Sequence, residues 1–240
     1  SAETRDELLA QAGGASSLPR RTWLSRVAMS DPKTVPRLHF VFVLDQSGSM
    51  SGEPWQELSN CVSNFRQRRI RNQKLHDMVS VIQFDEQAST IMEAQPVTEL
   101  QLGPQSGGGT AFHPAMQAAQ RVIRNNPQAG VPCVVMMTDG HANDYKQASE
   151  MLAQIAQKYG PGSGFDAHIV GFGSHTHYQI LKCIADGAKG RGTVHQADLG
   201  DLDRTFAQIS NRTEASAQLY REVGHIISSQ IKTQLAEDFL

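Results

Sequence analysis

Asp45, Ser47 and Ser49 stand two apart in the run DQSGSM, directly behind the apolar stretch LHFVFVL of residues 38–44. Turning off the end of a buried strand, a D-x-S-x-S run can aim one carboxylate and two hydroxyls at a single point. Oxygens of that kind suit a hard divalent cation, and Mg²⁺ in particular takes about six of them at about 2.0–2.1 Å. Two later features extend the set. A GGGT stretch ends in Thr110, and VVMMTDG carries Asp139 past the end of another apolar run. Two ionised carboxylates balance one divalent cation, and the hydroxyls add no charge. A neutral centre with an open coordination position still attracts a carboxylate from outside, whereas a third anionic ligand would weaken that attraction. The implied chemistry is the docking of an Asp or Glu from a partner protein. The plainer alternative is that Asp45 and Asp139 only cap turns and helices, as Asp often does.

Catalytic readings fit less well. An Asp after an apolar strand also opens Mg²⁺-dependent phosphotransferases with an aspartyl nucleophile. Those use a second Asp two positions on as acid and base, and here that position is Ser47. There is no G-x-x-x-x-G-K-[ST] loop for a nucleotide, no G-x-S-x-G elbow, and no Cys/His pair at zinc spacing. The expectation is a protein that is not an enzyme.

The elements that must position these residues alternate. Apolar strands are expected at 38–44, 78–84, 89–94, 132–138, 166–173 and 192–197. Helices are expected at 54–71, 112–126, 143–159, 177–187 and from about residue 202 onward. Continuously apolar strands alternating with helices predict a mostly parallel sheet covered on both faces. The short link through DEQA predicts one antiparallel hairpin at an edge. In such sheets ligands bind beyond the carboxyl ends of the strands. Asp45 and Asp139 fall just past two such ends, and Thr110 falls just before a helix that begins on the same side.

With these motifs in place, the chain resembles a von Willebrand factor type A (vWA) domain with a metal-ion-dependent adhesion site (MIDAS). The likeness rests on DQSGSM, SGGGT and MTDG and covers about residues 37–210. It implies a Rossmann-like three-layer α/β sandwich. It also implies that Ser47 and Ser49 bind the metal directly, and that Asp45, Thr110 and Asp139 bind it directly or through water. The implied cofactor is Mg²⁺, with Mn²⁺ or Ca²⁺ as alternatives, and the implied partner is a protein presenting an acidic side chain. A second expectation from the family is a regulatory domain within a larger enzyme complex of the magnesium-chelatase kind. Residues 1–36 are expected as an N-terminal extension, 37–211 as the vWA domain and 212–240 as a C-terminal helical extension. In the first extension SAETRDELLAQA suggests a helix and RTWLSRVAM a strand.

Net charge is −2, so bulk electrostatics favour neither nucleic acid nor a membrane surface, and no apolar run approaches the length of a membrane span. Cys61, Cys133 and Cys183 are widely spaced and odd in number, which tips the reading towards a reducing, cytoplasmic compartment. His113, His141, His175 and His177 follow strand ends. They read as solvated loop residues, with a second metal or a pH-sensitive surface as the alternative. Asp85 and Glu86 read as turn residues, with a place on the rim of the site as the alternative. The basic run RQRRIRNQK of residues 66–74 reads as a helix end, where cations suit the macrodipole, rather than as a phosphate contact. Trp55 is expected to pack its helix on the sheet. The tail residues Leu219, Val223, Ile226, Ile227, Ile231 and Leu235 have helical spacing and are expected to pack within the chain.

Overall fold

Strand β1 (Leu38–Asp45) is buried along its whole length, because it lies at the centre of the sheet with helices over both faces. In this computed structural model residues 36–159, 164–173, 176–198 and 200–237 are described. The elements expected for residues 1–35 lie outside them, as does His175.

A short 3₁₀ turn, Gly48–Met50, follows β1 and leads into α1 (Glu53–Arg71). Strands β2 (Met78–Phe84) and β3 (Ala88–Pro96) form the expected hairpin. Then come α2 (Phe112–Asn125), β4 (Val131–Thr138), α3 (Tyr145–Lys158), β5 (Asp166–Phe172), α4 (Tyr178–Asp186), β6 (Gly192–Ala197) and α5 (Leu202–Glu237). The sheet runs in the order β3-β2-β1-β4-β5-β6. Only β3 is antiparallel to its neighbour. The architecture is the expected three-layer α/β fold with one antiparallel edge strand.

Alternation along β1 divides the core in two. Val41 and Val43 face one side with Ile82 and Phe84, beneath α2, α3 and α4. Leu38, Phe40, Phe42 and Leu44 face the other with Phe65 of α1 and Phe206 of α5. Trp55 packs against this second cluster, as expected. Because β1 is followed by β2 on one side and flanked by β4 on the other, the strand order reverses there. The carboxyl ends of β1 and β4 therefore bound the crevice where sheets of this kind bind ligands.

Helix α5 is continuous through residue 211, so the expected boundary there falls inside one helix. Its inward face includes Leu202, Phe206, Ile209, Thr213 and Ala217. Leu219, Val223 and Ile226 lie off that face and are exposed, so these members of the tail stripe do not pack within the described chain. The side chains of Ile231 and Leu235 lie outside what is described.

Candidate functional site

Asp45 ends β1 and Asp139 follows the last residue of β4, Thr138. The two strands pair in parallel with Leu44 opposite Met137, so both aspartates leave the sheet side by side. Asp45 is fully buried. Its Oδ1 accepts the Ser47 N–H at 2.9 Å and its Oδ2 accepts the Thr138 hydroxyl at 2.5 Å. The first contact folds the DQSGSM loop back on itself, the turn-capping role that Asp commonly takes. The loop then presents its hydroxyls in line. Ser47 Oγ lies 3.1 Å from Ser49 Oγ, and Ser49 Oγ donates to Asp139 Oδ1 at 2.8 Å.

These spacings bear on what the oxygens can hold. Adjacent ligands on an octahedron with metal–oxygen distances of about 2.0–2.1 Å are about 2.8–3.0 Å apart. The Ser47–Ser49–Asp139 chain, held by hydrogen bonds of 3.1 and 2.8 Å, is spaced close to such edge lengths. Charge points the same way. Burial pushes the Asp45 carboxyl above its ordinary range, and the nearby Asp139 charge adds to the push. Hydrogen bonds from Ser47 and Thr138 oppose it. Among the described residues no Lys, Arg or His forms an ion pair with either aspartate. The donor set thus fits a hard divalent cation in both geometry and charge.

Thr110 arrives on the loop before α2. A side-chain carbon at Gly140 would lie 3.2 Å from Thr110 Oγ1 and 3.5 Å from Asp45 Oδ2. Both oxygens border one gap that a glycine leaves open. All five residues expected at the site come together at the carboxyl ends of β1 and β4.

The loop that carries Thr110 is held by residues whose part was not foreseen. The buried Gln83 amide donates to Gln46 Oε1 at 2.8 Å and accepts the Gly103 N–H at 2.6 Å. Gln105 Nε2 donates to the Ser47 carbonyl at 3.1 Å. The Asp85 carboxylate accepts from Ser106 Oγ at 2.5 Å and from Gln46 Nε2 at 3.2 Å. Burial acts to raise the Asp85 carboxyl, yet these hydrogen bonds outweigh it and hold the group below its ordinary value. Asp85 is therefore more than a turn residue: it clamps the glycine-rich loop to DQSGSM. Glu86 accepts the Gly109 N–H at 3.2 Å. Asp144 accepts the N–H groups of Phe112 and His113 at 3.0 and 2.8 Å, capping α2 from another element. An amide inside the apolar strand β2 was the one available sign of this network.

The model of the von Willebrand factor type A domain matches residues 40–208. The chain belongs to the vWA family. Among curated proteins, an uncharacterised protein of Synechocystis sp. is 26% identical over 209 residues. That match covers 83% of this chain and 47% of the relative, so the chain spans about half of that protein's length. Among solved vWA-like structures, the conserved hypothetical protein BatB from Bacteroides thetaiotaomicron superimposes with a TM-score of 0.54 at 17% identity, over 75% of this chain and 100% of that one. Proximal thread matrix protein 1 from the mussel byssus, solved with a zinc-occupied MIDAS motif, gives a TM-score of 0.53 at 16% identity, over 78% and 46%. At these identities the structural likeness establishes the fold. No described helix of this vWA chain is long and apolar enough to cross a membrane.

Proposed function

We propose that this vWA domain is a metal-dependent protein-binding module rather than an enzyme. Asp45, Ser47, Ser49, Thr110 and Asp139 hold Mg²⁺, or Mn²⁺ or Ca²⁺ in its place, and the partner contributes an Asp or Glu. The observation that carries this reading is the Ser47–Ser49–Asp139 oxygen chain close to octahedral edge spacing, set beside a buried Asp45 with no cationic partner. Interaction through a metal-dependent site is common in the vWA family, and the mussel relative's zinc-occupied motif is in keeping with it. A bound cation supplies a Lewis-acidic position for an outside carboxylate. The chain's own contribution is to fix the oxygens beforehand. Asp45 shapes the DQSGSM loop through the Ser47 N–H, and Thr138 holds the Asp45 carboxylate from the neighbouring strand. The two carboxylates neutralise the divalent charge without over-neutralising it, so an anionic side chain from a partner remains welcome.

Calorimetric titration of Mg²⁺ and Mn²⁺ into the wild type, Asp45→Ala and Asp139→Ala tests the site. Binding in the wild type and its loss in both variants is expected. Affinity capture of partners in magnesium and in EDTA tests the use made of it. Partners retained equally in both buffers would overturn the docking role.

A further inference from the structure

We propose that Asp85 is a positioning residue that makes the oxygen-lined centre prefer Mg²⁺ over Ca²⁺, an inference that rests on the proposed metal role of Thr110 and its neighbours. Those neighbours are placed by the sheet and by their own loop. Asp45 and Asp139 leave paired strands, and hydrogen bonds within DQSGSM set Ser47 and Ser49. Thr110 is different, because residues 100–111 belong to no helix or strand. Its position has to be imposed from outside the segment.

Asp85 grips that segment on both sides of Thr110. Its Oδ2 accepts from Ser106 Oγ at 2.5 Å, and its carbonyl accepts the Ala111 N–H at 2.8 Å. The same Oδ2 accepts from Gln46 Nε2 at 3.2 Å, so one oxygen ties the Thr110 loop to the DQSGSM loop. Asp85 is itself held. It follows Phe84, which pairs with Asp45 in the β1–β2 register and whose carbonyl accepts the Gln46 N–H at 2.8 Å. Its Oδ1 accepts the Gln87 N–H at 2.9 Å, closing the turn to β3. The rigidity of the sheet thus reaches the loop through one side chain with both oxygens engaged. Glycines permit the close approach. Gly108 has a φ of 108°, and a side-chain carbon there would lie 3.4 Å from Asp85 Cβ. The Gly48 N–H donates to the Gly108 carbonyl at 2.9 Å and the Gly107 N–H to the Gln46 carbonyl at 3.1 Å, completing the seam.

Rigidity decides between the two ions. Mg²⁺ demands near-ideal octahedral geometry at about 2.0–2.1 Å, whereas Ca²⁺ accepts flexible arrangements at about 2.3–2.6 Å. The Ser47, Ser49 and Asp139 oxygens, at 3.1 and 2.8 Å, are spaced for the smaller ion. Fastening the Thr110 loop to the same frame keeps its hydroxyl in that register. Releasing it costs the ion that needs exact geometry and spares the ion that tolerates looser ligands.

The test is Mg²⁺ and Ca²⁺ calorimetry on the wild type, Asp85→Ala, Ser106→Ala, Thr110→Ala and the double variant Asp85→Ala/Thr110→Ala. Loss of a residue that orients a ligand weakens metal binding by about tenfold or more, and that is the expected change in the Mg²⁺ Kd of Asp85→Ala. The Ca²⁺ Kd should change by less than about threefold. Ser106 is exposed, so Ser106→Ala removes the grip without endangering the fold, and it should shift the Mg²⁺ to Ca²⁺ preference in the same direction. An effect exerted through Thr110 vanishes once Thr110 is gone, so Asp85→Ala should weaken Mg²⁺ binding no further in Thr110→Ala, whereas a general loosening of the fold would add in full. Should Asp85→Ala not fold, Ser106→Ala with Thr110→Ala runs the same cycle. A wild type that binds Mg²⁺, with the ion preference unchanged in both Asp85→Ala and Ser106→Ala or with full additivity, overturns the positioning role and leaves the metal site standing. A wild type that binds neither ion overturns both.

Discussion

The Thr138 hydroxyl donates to Asp45 Oδ2 at 2.5 Å, joining the last residue of β4 to the last residue of β1. This contact and the Ser47 N–H leave Asp45 hydrogen-bonded but without a countercharge, at a position with no solvent access. A buried carboxylate in that condition raises the free energy of the metal-free fold.

Asp45→Asn should therefore separate stability from binding. The amide keeps the shape and can still accept the Ser47 N–H, while the charge is gone. In EDTA the variant should be more stable than the wild type, by about 1 kcal/mol. In magnesium the order should reverse. A site filled at a ligand concentration of 100 times Kd gains about 2.7 kcal/mol, and the variant should gain none of it. Thermal melts in the two buffers read this directly. Equal magnesium shifts in both proteins would show that Asp45 is not a ligand.

Asp144→Ala should destabilise the fold although Asp144 lies outside the oxygen chain. Its carboxylate satisfies two N–H groups in the first turn of α2, and Ala111 at the cap position has no side chain that could do so. Loss of such a cap costs about 1–2 kcal/mol. Because Thr110 immediately precedes that turn, magnesium affinity should fall as well. Urea unfolding and metal titration of the variant provide both readings, and unchanged values in both would remove Asp144 from the site's support.

The DQSGSM, GGGT and TDG signals were legible because each is local: oxygen-bearing residues sit within a few positions of an apolar run that announces a strand end. What supports them is not local. Asp144 falls inside the helix expected at 143–159 and stands at the N-cap position of α3, yet its carboxylate serves α2 some 31–32 residues back. The Gln83 amide stands in a largely apolar strand, a sign that a polar group is needed there, but only the fold shows that it is fully buried and what it holds. On α5, helical spacing marked Leu219, Val223 and Ile226 as a stripe, but periodicity does not say which stripe meets the sheet. Phe206, Ile209, Thr213 and Ala217 meet it instead. The basic run was read as a helix end, and Arg68, Arg69 and Arg71 do lie in the last turn of α1. Charge counting could not reveal that Arg69 points inward.

Arg69 is buried between α1, the start of β2 and α5. It pairs with Asp77 and Glu214, donates to Ser210 Oγ at 2.9 Å, and lies 5.2 Å from the Phe40 ring centroid. Burial alone would raise the Glu214 carboxyl, but the Arg69 and Lys74 charges win and hold it below its ordinary value. Arg69→Met keeps the volume and strands Asp77, so a loss of about 3–5 kcal/mol is expected. Adding Asp77→Asn should recover part of it, because the orphaned charge disappears. A double-mutant cycle in denaturant gives the coupling, and strict additivity would show that the pair does not act as a unit.

Acid should weaken the fold through two buried histidines. His39 bonds Ser80 Oγ at 2.8 Å, and burial lowers its pKa to about 4. His168 lies 3.0 Å from His195 and 3.2 Å from Thr213 of α5. Burial first, then the His195 and Arg212 charges, lower its pKa to about 3. Both rings are neutral when folded, so their contribution is complete above the unfolded value of 6.5. Below it the unfolded chain takes up protons that the folded chain refuses. Stability should then fall by about 1.4 kcal/mol per pH unit for each histidine, until pH reaches the folded values. Asp45 and Asp166, both raised chiefly by burial, bind protons more readily when folded and act in the opposite sense. The histidine term is therefore isolated by difference. Urea midpoints of the wild type and His168→Asn between pH 7 and 5 should diverge at the acid end less than at the neutral end, the variant having lost one histidine's slope. Parallel curves would show that His168 is not held neutral beneath α5.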